Sequence, residues 1–346
     1  MRRFAVVVWR GREAGAFHVR HWTGRWHRAC GANAHRPLLL ACVSSEEKGR
    51  CALSQERVVI PPQPKRLSDQ IIAAMPWLDE FAEKLRVVWE PLVGQSAPRP
   101  LRDALYGTWL GHPLHPAVVL LPVGFWTSSA VFDLLGEEEP ADLMLKLGLG
   151  GAIVATVTGA AQWQDSGEER KPRRLGALHA GLNTLATVLY ASSWILRARG
   201  SRGAGVALST AGYGLVSVSS WLGGELAYDL GLGVNRTAFE TPAAKWTKVA
   251  AAADLLDGKP LRVEVEGTPV MLLRQGESIF AIGATCTHLG GPLDEGEIDG
   301  DTVICPWHGS VFRLNNGGLV HGPATFPQPG YDVRVESGQV AIRLAS

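Results

Sequence analysis

The stretch CTHLGGPLDEGEIDGDTVICPWHGS, residues 286–310, decides the fold of the C-terminal part of the chain. It begins with a CxH motif formed by Cys286 and His288 and ends in a CxxH motif formed by Cys305 and His308, with 16 residues (289–304) between the motifs. Thiolate sulfur and imidazole nitrogen are common protein ligands of transition metals. The spacing therefore predicts that two neighbouring loops bring two sulfur and two nitrogen ligands to one metal site.

Two kinds of metal centre use two cysteines and two histidines. A [2Fe-2S] cluster can take two cysteines on one iron and two histidines on the other, which raises its reduction potential above that of an all-cysteine cluster. A zinc finger groups its ligands as CxxC and HxxxH and has no need of the glycines found at Gly290, Gly291 and Gly309. The spacing favours the cluster, and zinc remains the alternative.

These motifs resemble those of the Rieske [2Fe-2S] family, and the resemblance extends over residues 245–344. The resemblance implies that the ligands act in two pairs. Cys286 and Cys305 would hold the inner iron, and His288 and His308 would hold the outer iron, which is nearer to solvent. Glycines in both loops would let the chain fold tightly around the sulfides. The resemblance also implies that the loop GPATFPQPG, residues 322–330, covers the cluster as a third, proline-stiffened wall.

Two positions place the chain within that family. The respiratory-complex branch carries a second pair of cysteines that joins the cluster loops, whereas this chain has Gly291 and Trp307 at those places. It therefore looks more like the ferredoxin and oxygenase branch, whose reduction potentials are lower. Ser310 follows the second ligand loop, and a hydrogen bond from its hydroxyl to the cluster would raise the potential somewhat.

The sequence around these motifs has the pattern of short strands and turns that is typical of an antiparallel β domain, which we place at residues 245–346. Short runs such as LRVEVEG (261–267), PVMLLRQG (269–276) and QVAIRL (339–344) are separated by glycine and acidic turns. Residues 261–266 alternate between apolar and polar side chains, as a half-buried strand does. The predicted fold class is therefore multi-domain, with an all-α four-helix transmembrane bundle followed by an all-β Rieske (ISP-like) domain.

Charge and cysteines set the first 57 residues apart. The whole chain has 34 Lys and Arg against 33 Asp and Glu. Residues 1–57 hold 11 basic and 4 acidic residues, a net of +7, and the remainder holds 23 against 29, a net of −6. Three of the five cysteines also fall in this first stretch, so the rest of the chain has no disulfide framework. No single sign dominates, and the composition gives no support to nucleic-acid binding.

Residues 1–57 show no sustained helical or strand period and no secretory signal peptide. We interpret them as a disordered or artefactual extension; the alternative is a basic arm that contacts anionic lipid. Residues 58–105 follow as an amphipathic helical or linker segment, in which Pro76 bends or restarts a helix. The face predicted to be apolar holds Ile71, Ile72, Met75, Leu78, Phe81, Leu85 and Val88. Such a face packs on a protein core or lies at a membrane surface, and the pattern leaves both open.

Residues 106–240 contain four apolar stretches of about the length that spans a hydrocarbon core. The predicted helices cover residues 115–135, 143–163, 175–196 and 203–222. In the second helix, Gly151, Ala155 and Gly159 recur every four residues, a spacing that lets helices pack closely in a bilayer. We interpret the segment as a transmembrane domain, and the alternative is a soluble helical bundle.

The same segment resembles a bacterial four-helix membrane domain of unknown function that occurs alone or fused to Rieske domains. The motifs that carry the resemblance are GHPLHP (111–116), LHAGLN (178–183) and GGELAYDLGLGV (223–234). It implies a multi-pass protein of the bacterial inner (plasma) membrane. Basic residues near the spans number seven on the side of both termini and four on the other side, which favours a cytoplasmic Rieske domain.

Three histidines near the predicted membrane boundary suggest a second site. His112 and His115 open the first predicted helix and His179 lies early in the third, which runs in the same direction. Ionisable residues at such a depth cost free energy unless they are paired or functional. The hypothesis is a b-type haem between His115 and His179, or a quinone held by a histidine and a carboxylate. The alternative is that Pro113 and Pro116 open the helix, His112 caps it and the other groups face lipid head groups.

Five acidic residues crowd the segment between the two ligand motifs: Asp294, Glu295, Glu297, Asp299 and Asp301. Such a patch steers a basic redox partner towards the protein. Acidic turns are also common as plain solvated surface, and the sequence leaves both interpretations open.

The sequence does not predict a complete oxygenase. That chemistry needs non-haem iron on two histidines and a carboxylate, and none of the histidines left outside residues 1–57 and the cluster motifs lies in that pattern. The sequence instead predicts a membrane-anchored carrier of single electrons between a membrane or soluble donor and a redox partner protein or quinone. The alternatives are a membrane redox sensor or assembly subunit, and a structural metal site with zinc.

Overall fold

The computed structural model describes residues 66–166 and 169–345, together with three short strands nearer the N-terminus. Those strands, β1 (Val8–Arg10), β2 (Phe17–Arg20) and β3 (Trp26–Ala29), form an antiparallel sheet in the order β1-β2-β3. The interpretation of residues 1–57 as an extension otherwise falls outside the described residues and stays a prediction.

The amphipathic segment folds as three helices, α1 (Leu67–Ala73), α2 (Leu78–Val93) and α3 (Arg99–Tyr106). The break between α1 and α2 lies around Pro76, as predicted, because proline cannot donate the backbone hydrogen bond that a helix interior requires. α3 ends at Gly107, whose φ of +87° is left-handed and terminates the helix.

The inner face of α1 and α2 packs on the helical bundle. Ile72 and Leu78 are buried with Leu175 and Leu222 in one hydrophobic cluster. Val88, which was predicted on this face, is 67% exposed. Met75, Phe81 and Leu85 pack on the same cluster while partly buried, so most of the predicted apolar face contacts the bundle.

The bundle follows with four long helical segments. α4 (Leu114–Val118) and α5 (Leu120–Leu135) continue each other, and α6 (Glu138–Gln164), α7 (Arg170–Ala198) and α8 (Arg202–Gly224) complete the bundle. A π-helical turn at Glu225–Asp229 extends α8. The four predicted helices are confirmed, although α6 and α7 begin more than one turn earlier than predicted.

Small residues on α6 let neighbouring helices approach closely, as the four-residue spacing predicts. A Cβ at Gly148 would lie 2.3 Å from the Trp126 indole, and one at Gly151 would lie 3.0 Å from Pro122. Trp126 in turn stacks on Tyr190 of α7 with ring centroids 4.0 Å apart. Glycine thus makes room for the large aromatic residues that fill the bundle core.

Two of the described helical segments are long and apolar enough to cross a membrane, Leu114–Leu135 and Glu138–Gln164. α7 and α8 have spanning length as well, since a helix of 23 residues is about 35 Å long. α7 begins with four basic residues within its first five positions, and α8 is rich in glycine and serine, which makes both less apolar.

A buried ionic network joins all four long helices at the end opposite to the cluster domain. The Arg197 guanidinium of α7 donates to Asp133 of α5 over 2.5 Å and to Asp142 of α6 over 2.9 Å. Arg202, at the start of α8, donates to Asp133 over 2.9 Å. The side chains of Arg197 and Asp133 are 1% and 7% exposed. A buried charge is tolerated only when it is paired, and here each charge has a partner.

The C-terminal domain is all-β, as predicted. Its three sheets have the strand orders β12-β13-β4, β5-β6-β7 and β11-β10-β9-β8. The strand bounds are β4 (Thr247–Ala251), β5 (Leu261–Val265), β6 (Thr268–Gln275), β7 (Ser278–Gly283), β8 (Glu297–Asp299), β9 (Thr302–Ile304), β10 (Val311–Arg313), β11 (Leu319–His321), β12 (Tyr331–Glu336) and β13 (Gln339–Leu344).

Two hydrophobic clusters divide the β domain. One lies between the sheets that contain β6 and β13 and includes Val270, Leu272 and Ile342, all fully buried. The other contains Phe312 and Leu293 and also includes the two cysteines of the ligand motifs. The metal-ligand motifs are therefore built into a packed core at one end of the domain.

Candidate metal centre

The predicted ligands come from two loops with the same backbone hydrogen-bond pattern. In each loop the cysteine N–H donates to the carbonyl five residues later, and the cysteine carbonyl accepts from a glycine N–H four residues later, over 2.8 to 3.0 Å. Those glycines, Gly290 and Gly309, have φ of +85° and +75°. Any residue with a side chain would be strained in this backbone conformation. Each glycine thus lets its loop turn back on Cys286 or Cys305.

The two thiols are buried beside each other, with Cys286 at 1% and Cys305 at 3% exposure. Hydrogen bonding from the Cys286 thiol lowers the pKa of Cys305 to about 7, although burial opposes the shift. The groups that donate to the two sulfur atoms are the backbone N–H groups of His288, Trp307 and His308 and the hydroxyl of Ser310. The same thiol–thiol bond, together with burial, raises the pKa of Cys286, so the donors stabilise negative charge first on Cys305. Thiolate is the form that binds metal.

The two histidines face each other at a right angle, with ring centroids 5.1 Å apart. Burial lowers the pKa of His288 to about 3 and that of His308 to about 4, and the nearby Arg102 acts in the same direction. Both imidazoles are therefore neutral at pH 7, as metal ligands must be. Nδ1 of His288 is buried and has no hydrogen-bond partner. Such an orphaned nitrogen calls for a ligand, which a metal ion supplies.

The loop of residues 322–330 packs on both ligand loops, as predicted. The Ala324 N–H donates to Ser310 Oγ over 3.0 Å, and the Thr287 hydroxyl donates to Phe326 O over 2.8 Å. Ala324 is 1% exposed and belongs to the same hydrophobic cluster as the two cysteines. The loop therefore excludes water from the thiolate side of the site.

The residues present fit a [2Fe-2S] cluster, with the thiolates of Cys286 and Cys305 on one iron and the imidazoles of His288 and His308 on the other. A Cβ at Gly291 would lie 2.8 Å from Cys305 Sγ, so the first loop needs a glycine beside the second sulfur. Within residues 66–166 and 169–345, no group of three or more His, Cys, Asp or Glu side chains lies close enough together to hold one metal ion.

Ser310→Ala is expected to lower the reduction potential of the site. The Ser310 hydroxyl donates to Cys286 Sγ, and such a bond is stronger when the reduced cluster carries more negative charge. A difference of about 1 kcal/mol between the two oxidation states corresponds to roughly 40 mV for one electron. Protein-film voltammetry measures the shift. The exposed Ser278→Ala is the matched control, and equal potentials for both variants would contradict the assigned role of Ser310.

The histidine end of this domain lies against the helical domain. The ring of Tyr106, the last residue of α3, meets the ring of His288 edge-on with centroids 6.4 Å apart. Asp165, which follows α6, lies with Oδ2 4.0 Å from His288 Nε2 and accepts a hydrogen bond from the Tyr106 hydroxyl. Burial raises the pKa of Asp165 to about 6. The bundle thus presents a polar pair to His288, one of the predicted outer-iron ligands.

A small cavity lies beside this pair. Its volume of about 20 Å³ is enough for roughly one water molecule. Polar groups of both domains line it, among them His288, Tyr106, His115, Thr158 and Gln162. The cavity thus lies between His288 and His115, which is near the predicted boundary of the membrane domain.

Further hydrogen bonds cross between the two domains. The Arg102 guanidinium donates to His308 O, and the Gln95 amide donates to Trp307 O, both over 3.3 Å. Asp103 accepts twice: its Oδ1 takes the Gly322 N–H over 2.8 Å, and its Oδ2 lies 2.7 Å from His321 Nδ1. The cluster domain therefore rests on α3 through several specific contacts.

Asp103→Ala is expected to loosen this contact, because it removes two hydrogen bonds to a charged acceptor. Each such bond contributes about 1.5–3 kcal/mol, so local opening should become at least about tenfold more frequent. Hydrogen–deuterium exchange of β11 and the following loop measures the change. Asp301→Ala, in the exposed β8–β9 turn, is the control. Unchanged exchange in the Asp103 variant would contradict a stabilising role for this residue.

His112 and His115 of the second predicted site lie at the start of the first long helix. His112 is exposed, and its Nδ1 lies 3.0 Å from the carbonyl oxygen of Pro113. His115 is partly buried, with Nδ1 3.3 Å from Thr158 Oγ1, and it lines the cavity. Only His115 of this pair therefore faces the interface with the cluster domain.

His179, the third of these histidines, is held at both ring nitrogens. Its Nδ1 lies 2.8 Å from Ser219 O, and its Nε2 lies 3.1 Å from Asn183 Nδ2. A histidine that binds haem iron through Nε2 commonly donates from Nδ1 to a backbone carbonyl, as His179 can to Ser219 O, and Asn183 would then have to leave Nε2. The haem and quinone forms of the hypothesis both stay predictions.

The sequence interpretation missed Arg102, Asp103 and Tyr106, which provide much of the contact with the cluster domain. None belongs to a recognisable motif, and all three precede the motif GHPLHP within a short amphipathic helix. The signal in the sequence that could have indicated this contact was two ionisable residues and a tyrosine within about one helical turn. Their partners lie about 200 residues away in the chain, beyond any local pattern.

Two protein families match separate parts of the chain. The Rieske [2Fe-2S] domain matches residues 245–332. A family described as predicted membrane protein (DUF2231) matches residues 111–236. The two matches agree with the predicted division into a four-helix membrane domain and a C-terminal cluster domain.

Relatives with curated descriptions match the C-terminal domain. Ferredoxin CarAc of Metapseudomonas resinovorans is 38% identical over 98 residues, which are 28% of this chain and 92% of that protein. The ferredoxin component of the naphthalene 1,2-dioxygenase system of Pseudomonas putida is 32% identical over 101 residues, 29% of this chain and 97% of that protein. Among solved structures, the ferredoxin of carbazole 1,9a-dioxygenase from Nocardioides aromaticivorans IC177 is 29% identical, with a TM-score of 0.28 and coverage of 29% of this chain and 99% of that chain.

Proposed function

Because the chain belongs to the Rieske [2Fe-2S] family through its C-terminal domain, we propose that it is a membrane-anchored carrier of single electrons. The cluster that this domain binds supplies the one-electron chemistry. The chain's own residues hold that cluster with two thiolates and two neutral imidazoles, and they keep water away from the thiolates. A carrier of this kind acts with a redox partner that supplies or accepts the electron.

The observation that carries this proposal is the position of the histidine end of the site. His288 lies against Tyr106 and Asp165 of the helical domain, and Asp103 holds β11 in place. Electron transfer becomes faster as donor and acceptor approach, so this contact favours exchange with a group at the membrane domain. A flexible tether would bring the two domains together only part of the time.

The surface of the bundle supports anchoring in a bilayer. Large apolar side chains point outward along all four long segments, which is costly in water and favourable in lipid. Those more than 40% exposed include Leu120, Leu134, Leu135, Ile153, Leu185, Val188, Trp194, Ile195, Val218 and Trp221. We infer a multi-pass protein of the bacterial inner (plasma) membrane.

Ion pairs support a common side for the amphipathic helices and the cluster domain. Arg174 of α7 pairs with Asp79 of α2 over 2.6 Å, and Arg173 pairs with Glu83 over 2.5 Å. These basic residues precede the apolar part of α7, at the bundle end that contacts the cluster domain. Positive residues favour the cytoplasmic face of a membrane, so we assign the cluster domain to the cytoplasm.

The relatives suggest the class of partner. Two are named as ferredoxins, and one of them as a component of a dioxygenase system. We propose that this chain likewise exchanges electrons with two partners. One is a soluble redox protein, and the other is a quinone or a membrane protein. A redox sensor is the second candidate, because the cluster loops are joined to α3 by the Arg102 and Asp103 hydrogen bonds.

A reconstituted system tests the proposal. The full-length protein is expected to stay with membranes after washing with alkaline carbonate, and its reduced cluster should be reoxidised by decylubiquinone in proteoliposomes or by a soluble electron acceptor protein. Release by carbonate would contradict the anchor. A reversible cluster that exchanges electrons with neither acceptor would favour the sensor.

A further inference from the structure

The four-helix domain contains an internal repeat. Residues 111–165 and 175–229 align without a gap, each residue of the first stretch with the residue 64 positions later. The aligned residues are identical at 11 of 55 positions, and four of these are glycine. Identity at this level also arises by chance, so the evidence for a repeat is the set of contacts that equivalent residues make. We infer that the domain is a duplicated helical hairpin, and that opposite charges at equivalent positions make its two halves pair with each other.

The helices of the two halves begin and turn at equivalent residues. In the first hairpin (111–165) the returning helix α6 begins at Glu138, and in the second hairpin (175–229) the returning helix α8 begins at the equivalent Arg202. The preceding turns contain Gly136 and Gly200, which are also equivalent and have φ of +77° and +82°. Each half is therefore the same unit: a helix, a glycine turn and a returning helix.

Equivalent serines hold the two helices of each hairpin together. In the first hairpin, Ser129 Oγ donates to Ala141 O over 2.8 Å. In the second, Ser193 Oγ donates to Gly205 O over 2.6 Å. Donor and acceptor are each 64 residues apart between the halves, so the same bond occurs twice in the domain.

His115 and His179 occupy equivalent positions as well. A Cβ at Gly159 would lie 2.8 Å from His115 Cε1, and a Cβ at the equivalent Gly223 would lie 3.2 Å from His179 Cε1. In each hairpin a glycine thus lets the returning helix approach the histidine of the first helix closely.

Two pairs of equivalent residues contact each other across the bundle. The Trp126 ring stacks on the Tyr190 ring with centroids 4.0 Å apart and planes 5° from parallel. Seven residues further along both α5 and α7, Asp133 pairs with Arg197 over 2.5 Å. A residue that meets its own equivalent lies at a two-fold axis. The two hairpins are therefore related by a pseudo-two-fold axis, which follows α5 and α7 for about 10 Å.

The charges at this axis differ between the halves. Asp133 and Glu138 of the first hairpin have Arg197 and Arg202 as their equivalents in the second. Asp133 pairs with Arg197, and Glu138 pairs with Arg202 over 3.3 Å. Two first hairpins, or two second hairpins, would instead bring like charges together at these places, which is costly for the buried pair. The pattern therefore favours the pairing of unlike halves.

The ends of the two hairpins near the cluster domain have diverged. Asp165 lies 4.0 Å from His288, whereas its equivalent Asp229 pairs with Lys171 over 3.1 Å and with Arg66 over 2.7 Å. The carboxylate that meets the cluster domain is thus the one on the first hairpin. Because unlike halves pair, each bundle has one such end and receives one cluster domain.

Exchange of the charged residues between the halves tests this pairing rule. Asp142 belongs to the set because it pairs with Arg197 over 2.9 Å, and its equivalent is Val206. The first half-variant carries Asp133→Arg, Glu138→Arg and Asp142→Val. The second half-variant carries Arg197→Asp, Arg202→Glu and Val206→Asp. The exchange variant carries all six changes.

Like charges meet at the axis in each half-variant, whereas the exchange variant rebuilds the pairs with their sides reversed. We expect the yield of monodisperse full-length protein in detergent to fall at least about fivefold in each half-variant. The exchange variant should stay within about twofold of the parent. Depletion of the exchange variant to the level of the half-variants, or half-variants that match the parent, would overturn the pairing rule.

A second exchange tests the equivalence of the two halves without a change of charge. Trp126→Tyr combined with Tyr190→Trp should keep the melting temperature within about 3 °C of the parent, because each ring packs on an equivalent glycine, Gly148 or Gly212. The control, Phe125→Trp combined with Trp126→Phe, keeps the composition but moves the indole one position along α5. It should lower the melting temperature by at least about 5 °C.

An aromatic exchange that lowers the melting temperature as much as this control would overturn the duplication. The cluster of each variant is examined separately by EPR. The electron-carrier proposal would therefore stand even if both exchanges failed.

Discussion

Replacing Cys286 by alanine is expected to abolish the cluster. The side chain is 1% exposed, and its sulfur receives hydrogen bonds from His288 and Ser310. Among the described residues the other cysteine is Cys305, a predicted ligand itself, so this part of the chain offers no second thiol to replace Cys286. Acid-labile sulfide should fall from about two per chain to background, and the visible absorption should be lost with it.

The control is Cys51→Ala, a cysteine in the predicted N-terminal extension, outside the described residues. We expect this variant to keep the sulfide content and spectrum of the parent protein. A Cys286→Ala protein that retains its sulfide would show that the ligand assignment is wrong. Loss of sulfide in both variants would indicate a general assembly defect and would not support the assignment.

Arg197→Met is expected to lower the free energy of unfolding of the bundle by about 3 kcal/mol, the lower end of the range for breaking a buried ion pair. Arg197 is 1% exposed and contacts Asp133 and Asp142, so methionine would leave two carboxylates short of a partner. The expected loss is at the low end because Arg202 also donates to both carboxylates. Unfolding in mixed detergent, followed by circular dichroism, measures it.

Arg199→Met is the matched control, since Arg199 lies two residues further on and is exposed. Its unfolding free energy should change by less than about 0.5 kcal/mol. If both variants unfold alike, the network at this end of the bundle does not stabilise it. The cluster spectrum should stay unchanged in both, because the network lies at the opposite end from the cluster domain.

The metal centre was predictable from the sequence because its determinants are local. Each ligand loop contains its own cysteine, histidine and left-handed glycine within five residues, so a short motif specifies the turn as well as the donors. The helices of the bundle were predictable for a similar reason, since apolar stretches of spanning length have few alternatives. The ends of these helices were harder to predict, because α6 and α7 begin with a polar turn before the apolar residues.

The contact between the domains was not predictable, because it depends on how two folded units meet. Asp103 and His321 lie 218 residues apart, and neither has a motif that indicates the other. The same limit applies to Ser219 of α8, whose carbonyl oxygen lies 2.8 Å from His179 Nδ1, whereas Asn183 lies about one turn after His179 on the same helix, α7. Val88 was predicted on the buried face but is exposed, because the contact of α2 continues through Trp89 and Val93 instead.

The most direct measurement is EPR with nitrogen ENDOR on the detergent-solubilised, dithionite-reduced protein, together with iron and sulfide analysis. The account predicts about two irons and two sulfides per chain, and a one-electron signal with hyperfine couplings from two histidine nitrogens. Colourless, EPR-silent protein that contains one zinc per chain and no sulfide would contradict it.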